Sequence, residues 1–151
     1  MTDITCSAAP GPQPTILVVD DEPGVRHLIC RALQLAGFQT QQAADGSEAL
    51  QYIQRMAATR QWVRAVVLDL ALPQLDGLAV LRYLRSRNPD LPVIAISADI
   101  DRLQEASAAG ADRILAKPFR VTDLLAAVAR WHDTPPDVVG FSADLLLAVV
   151  P

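Results

Sequence analysis

The chain has 151 residues, enough for one domain with a full core and little more. It is 51% apolar and 20% charged, the proportions of an ordinary soluble globular protein, and no apolar run is long enough to span a bilayer. The net charge of −4, with no lysine or arginine cluster, argues against nucleic acid as a direct partner.

Cys6 and Cys30 lack metal-site spacing and are too few for a disulfide scaffold. Cys30 reads as a small buried apolar residue on a helix. No basic stretch precedes an apolar one at the N-terminus, so no signal peptide is expected and a reducing cytoplasm is the default location.

Residues 1–14 hold Pro10, Gly11, Pro12 and Pro14 and read as a disordered lead-in. Residues 15–19 are a continuous apolar run of strand length that stops at Asp20, Asp21 and Glu22. Pro23 suits the first turn of a helix, along which Val25, Leu28, Ile29, Ala32, Leu33 and Ala36 recur at helical spacing until Gly37. The more polar run 38–43 predicts an edge strand. Asp45-Gly46 turns the chain into a second helix with Ala49, Leu50, Ile53, Met56 and Ala57 on one face.

Residues 65–68 are a buried strand ending at Asp69, followed by a loop with Pro73 and a turn at Asp76-Gly77. Leu78, Leu81 and Leu84 line a third helix, broken at Asn88-Pro89. Residues 92–96 form a fourth strand with Ser97 at its end. A short helix through Leu103 and Ala106 stops at Gly110. Residues 111–116 form a fifth strand, followed by Lys117-Pro118-Phe119. Val121, Leu124, Leu125, Val128 and Trp131 mark the last helix. Strands alternating with amphipathic helices predict an α/β domain over residues 15–132, its parallel sheet covered on both faces.

Parallel strands bring their C-terminal ends to one edge, where open α/β sheets place ligands. Asp20 and Asp21 follow the first strand, Asp69 the third, Ser97 the fourth and Lys117 the fifth. Taken singly, each has an ordinary explanation: a helix cap, a turn former, a strand-end hydroxyl, a solvated lysine. Chance accounts poorly for all of them on one edge. Three carboxylates in a crevice raise one another's pKa, and a divalent cation that prefers oxygen, such as Mg²⁺, relieves the repulsion. Such a set suits phosphoryl transfer to a carboxylate. Asp69 is the candidate nucleophile, and Lys117 and Ser97 are candidate ligands of the phosphoryl oxygens.

The segments Ile16-Leu17-Val18-Val19-Asp20-Asp21-Glu22-Pro23, Leu68-Asp69 with Pro73 and Asp76-Gly77, Ile96-Ser97-Ala98 and Lys117-Pro118-Phe119 resemble, in order, the motifs of the receiver domain of two-component response regulators. The resemblance covers residues 15–132. It implies a flavodoxin-like, doubly wound, five-stranded parallel sheet of order 2-1-3-4-5 with five helices. It also implies Mg²⁺ held by Asp21, Asp69 and the backbone carbonyl of Ala71, with Asp20 nearby or acting through water, and a cis Lys117–Pro118 peptide. The implied phosphoryl donor is a phosphohistidine on a sensor histidine kinase or phosphotransfer protein. One position departs from the pattern: Ile114 stands where the family carries Tyr or Phe. That aromatic turns inward as the switch hydroxyl moves, so Ile114 implies weaker coupling, or coupling through the backbone alone.

Residues 133–151 are too short for an effector domain and are strongly apolar, so the expectation is a stand-alone module whose output is protein–protein contact. The downstream partner is unnamed by the sequence. A homodimer could form through the tail or through the face of the fourth helix, fifth strand and fifth helix. Two alternatives stay open. One is a degenerate receiver that only docks or dimerises. The other is a phosphatase with an aspartyl-phosphate intermediate, although such enzymes usually carry a second acid two residues after the nucleophile, where Ala71 stands here. The expectation is no enzyme beyond self-catalysed phosphoryl transfer and dephosphorylation.

Overall fold

Each apolar strand run divides its side chains between two cores, because successive strand residues face opposite sides of a sheet. The computed structural model describes residues 15–59 and 63–131. Within them the chain runs β1 (Thr15–Val19), α1 (Pro23–Leu35), β2 (Gln39–Ala43), α2 (Gly46–Ala58), β3 (Val63–Asp69), α3 (Gly77–Arg87), β4 (Val93–Ser97), α4 (Ile100–Ala108), β5 (Arg113–Ala116) and α5 (Val121–Val128). A 3₁₀ turn (Ala129–Trp131) closes α5. All strand pairs are parallel, in the order β2-β1-β3-β4-β5. This is the flavodoxin-like order that the resemblance implies.

Ile16, Val18, Ala65, Val67, Ile94 and Ile96 pack under α1 and α5, against Ile29, Leu33, Leu124 and Val128. Leu17, Val19, Val66, Leu68, Val93 and Ala95 pack under α2, α3 and α4, against Ile53, Leu81, Leu84 and Leu103. Burial on both faces is why β1, β3 and β4 read as unbroken apolar runs. β2 lies at one edge, and its Gln39 and Gln41 are exposed.

Some details differ from the sequence expectation. Leu28, placed by its spacing on the core face of α1, is 55% exposed. The buried stripe centres on Ile29 and Leu33, which leaves Leu28 at its margin beside exposed Leu35. β3 begins at Val63 rather than residue 65: Thr15 pairs with Val63 and Ile16 with Ala65, so Arg64 is an extra, buried residue in the register. Asp45 does more than turn the chain, since its carboxylate caps α2 by accepting the Glu48 N–H at 2.8 Å. The lead-in and tail expectations, on residues 1–14 and 133–151, lie outside the described residues.

Candidate functional site

The sheet delivers polar residues to one edge because each apolar run stops there. Asp20 follows β1 and is 1% exposed, and Asp69 ends β3 at 3%. Neither Asp20 nor Asp21 caps α1: the N-cap is Glu22, with no side-chain cap bond. Instead Asp20 Oδ1 accepts the Glu22 N–H at 2.9 Å. Arg26, in the first turns of α1, donates to the Asp20 carbonyl at 2.6 Å and to Gln42 Oε1 at 2.9 Å, fixing the loop that carries both acids.

Both oxygens of Asp69 are engaged. Oδ1 accepts the Ala71 N–H at 2.9 Å, and Oδ2 accepts from Lys117 Nζ at 2.9 Å. Lys117 Nζ also lies 3.3 Å from Asp20 Oδ2. The lysine is contributed from beyond β5, on the far side of β4, so only a long side chain spans the distance. The Lys117–Pro118 peptide is cis, as the resemblance implies. Asp21 is exposed, and its carboxylate, with those of Asp20 and Asp69, offers oxygens that all lie within 4.8 Å of one another.

The electrostatics follow from burial. Desolvation pushes the Asp20 carboxyl above its ordinary range, and the Asp69 charge adds to this. The Glu22 N–H and Lys117 oppose it. Burial works against the charge on Lys117, but the hydrogen bond and charge of Asp69, joined by Asp20, outweigh that and raise the lysine above its ordinary value. Three carboxylates against one ammonium leave the crevice net negative. An all-oxygen donor set with excess negative charge fits a hard divalent cation.

Ser97 ends β4 and is buried, but its Oγ accepts the Asp99 N–H at 3.0 Å and is turned to the start of α4 rather than bonded to Asp69. The structure therefore brings Asp20, Asp21, Asp69, Ala71 and Lys117 together, with Ser97 on the same edge but differently engaged. Sequence reasoning missed Arg26, whose role depends on the turn between β1 and α1. It read Gly77 only as part of a turn and missed its close packing, where an added Cβ would lie 2.4 Å from the Leu70 Cα.

Residues 16–129 match the family described as the response regulator receiver domain. The chain belongs to that family. Response regulator MprA of Mycolicibacterium vanbaalenii is 46% identical over 133 residues, covering 85% of this chain and 55% of the relative. Transcriptional regulatory protein PrrA of Mycobacterium tuberculosis is 41% identical over 117 residues, covering 76% and 48%. The receiver domain of NtrX from Brucella abortus superposes with a TM-score of 0.71 at 36% identity, covering 80% of this chain and 99% of that one. The chain thus spans about half the length of the curated relatives it matches, which lends no support to the stand-alone expectation.

As a receiver, the chain carries Ile114 on the edge strand β5, 42% exposed and in register with Ala95. Receiver domains generally bind Mg²⁺ at an acidic pocket, and in this chain Asp20, Asp21 and Asp69 form an acidic cluster whose oxygens could hold a metal ion. No helix among the described residues is long and apolar enough to cross a membrane.

Proposed function

We propose that Asp69 accepts a phosphoryl group from a phosphohistidine on a sensor kinase or phosphotransfer protein, in a Mg²⁺-dependent reaction within the cytoplasm. The observation that carries this is the convergence of Lys117 Nζ on Asp69 at 2.9 Å and Asp20 at 3.3 Å, beside three carboxylates that share one crevice. A carboxylate oxygen of Asp69 attacks phosphorus in line. The P–N bond breaks and its electron pair stays on that imidazole nitrogen, while a proton already on the other ring nitrogen of the phosphohistidine makes the leaving group a neutral imidazole.

Asp20, Asp21, Asp69 and the Ala71 carbonyl would hold the metal, which when bound neutralises charge on the transferring oxygens. Lys117, released from Asp69 Oδ2, holds a phosphoryl oxygen of the product. The Ser97 Oγ accepts from Asp99, which leaves its proton to donate to another. The same groups support hydrolysis of the acyl phosphate by water, so the chemistry is self-catalysed transfer and dephosphorylation.

Output is by protein–protein contact. Ile100 (56% exposed), Ile114 (42%) and Val121 (39%) put apolar surface on α4, β5 and α5, where a downstream protein or a second copy of the chain would dock. The deciding experiment is intact-mass measurement after incubation with acetyl phosphate and Mg²⁺. A single stable aspartyl phosphate supports the receiver. Rapid turnover without an adduct points to a phosphatase, and no reaction points to a docking module.

Two further results are expected. Mg²⁺ at ten times its Kd should stabilise the fold by about 1.4 kcal/mol, read as a rise in thermal midpoint. In Asp20→Asn that rise should shrink, while the metal-free variant gains on the order of 1 kcal/mol because a buried charge facing Asp69 is gone. A metal-free midpoint below that of the original chain would contradict the electrostatic account. Ile114→Tyr should leave the rate of Asp69 labelling nearly unchanged, since position 114 is exposed on an edge strand. A several-fold change in labelling would place residue 114 in the chemistry.

A further inference from the structure

Asp69 and α4 are linked through one peptide unit that lies outside the acidic cluster. The Leu70–Ala71 peptide donates its N–H to Asp69 Oδ1 at 2.9 Å. Its carbonyl, the Leu70 oxygen, accepts the Gly77 N–H at 3.1 Å and Arg102 Nη2 at 3.2 Å. Arg102 sits in the first turn of α4, and the same Nη2 pairs with the Asp76 carboxylate at the start of α3. Its Nε is buried without a hydrogen-bond partner among the described residues. Arg102 thus holds the loop after Asp69 through a single nitrogen, rather than by the bidentate grip its fork allows.

We propose that Arg102 is a positioning residue that transmits the state of Asp69 to α4 through the Leu70–Ala71 peptide. This rests on Asp69 being the phosphoacceptor. When a carboxylate oxygen of Asp69 carries a phosphoryl group, the charge the Ala71 N–H was bonded to moves out to the phosphoryl oxygens. The N–H then turns towards the stronger acceptor. The peptide is planar, so its carbonyl turns the opposite way. Either Arg102 follows, carrying the first turn of α4 with it, or its bond to Leu70 opens and leaves it on Asp76 alone. Both outcomes alter α4. Neither uses residue 114, so the device supplies a route to the surface that the exposed Ile114 does not.

The test uses the full chain labelled with ¹⁵N, with beryllofluoride and Mg²⁺ at saturation as the mimic of the phosphorylated state. In the original chain, the Ala71 amide and the amides of residues 100–108 should shift together. In Arg102→Gln, the Ala71 shift should persist while the α4 shifts fall to about half or less, the scale on which single residues modulate coupling. Arg102→Lys, which keeps the charge and a single donor nitrogen, should restore part of the α4 response. Full α4 shifts in Arg102→Gln would overturn the coupling role and leave the phosphoacceptor assignment standing. Loss of the shift at Ala71 as well would make Arg102 part of phosphoryl binding, which also overturns it. No shift at Ala71 in the original chain would overturn the phosphoacceptor assignment itself and the inference with it.

Discussion

Asp69→Asn should reduce labelling by acetyl phosphate to background while the protein stays folded. The amide is isosteric with the carboxylate. Its oxygen can still accept the Ala71 N–H, whose present bond to Asp69 is 2.9 Å long. Lys117 keeps Asp20 as its partner, at 3.3 Å. The buried Asp20 loses a like charge that raises its pKa, while Lys117 loses the hydrogen bond and charge of Asp69 that raise its own, so the two effects oppose and metal-free stability should change by no more than about 1 kcal/mol either way. What the variant lacks is a nucleophile, since an amide oxygen does not form a stable acyl phosphate. Intact mass reports the label, and the thermal midpoint, measured on the same sample, excludes unfolding as the cause. Persistent labelling of a folded Asp69→Asn chain would move the phosphoacceptor elsewhere and undo the roles given to Lys117 and Ser97.

The features that make this variant readable were largely visible in the sequence, and the reason is topological. A parallel sheet buried on both faces writes its strands as apolar runs, and each run ends where the site begins. Asp20, Asp69, Ser97 and Lys117 could therefore be placed on one edge without knowing any distance. What could not be read was how each side chain is used. Ser97 stands where expected, but its hydroxyl oxygen is bonded to the backbone at Asp99, a choice set by the turn into α4. Arg26 and Arg102 look like ordinary helix-surface cations in the sequence. They prove to hold the backbone of Asp20 and Leu70 only because the loops fold back across the helix ends. Leu28 is the converse case: its spacing is right for a core position, yet the angular centre of the stripe on α1 leaves it in solvent.

Gly77 shows the same limit most sharply, and adding a single methyl group to it should have a large structural effect. In the sequence, Asp76-Gly77 reads as a turn. In the fold, Gly77 opens α3 against the backbone of Asp69 and Leu70, where β3 ends. An added Cβ would lie 2.4 Å from the Leu70 Cα, 2.6 Å from the Asp69 carbonyl oxygen and 2.9 Å from the Leu70 carbonyl carbon. All three atoms are main chain, so no rotamer change relieves the clash, and either α3 or the end of β3 must move. Gly77→Ala should therefore cost about 3 kcal/mol, at the upper end for overpacking, despite the gain alanine normally brings to a helix. Gly24 supplies the contrast. It lies in the first turn of α1 with nothing within 4 Å of an added Cβ, so Gly24→Ala should be neutral or stabilising by up to about 1 kcal/mol. Denaturant unfolding of the two variants measures the difference. The Gly77 variant should also label more slowly at temperatures where it remains folded, because the displaced backbone carries both Asp69 and the Ala71 N–H that orients it. Equal stability of the two variants would mean that α3 can withdraw freely from β3. Normal labelling of a destabilised Gly77→Ala chain would mean that its close packing supports the fold without setting the geometry of the phosphoacceptor.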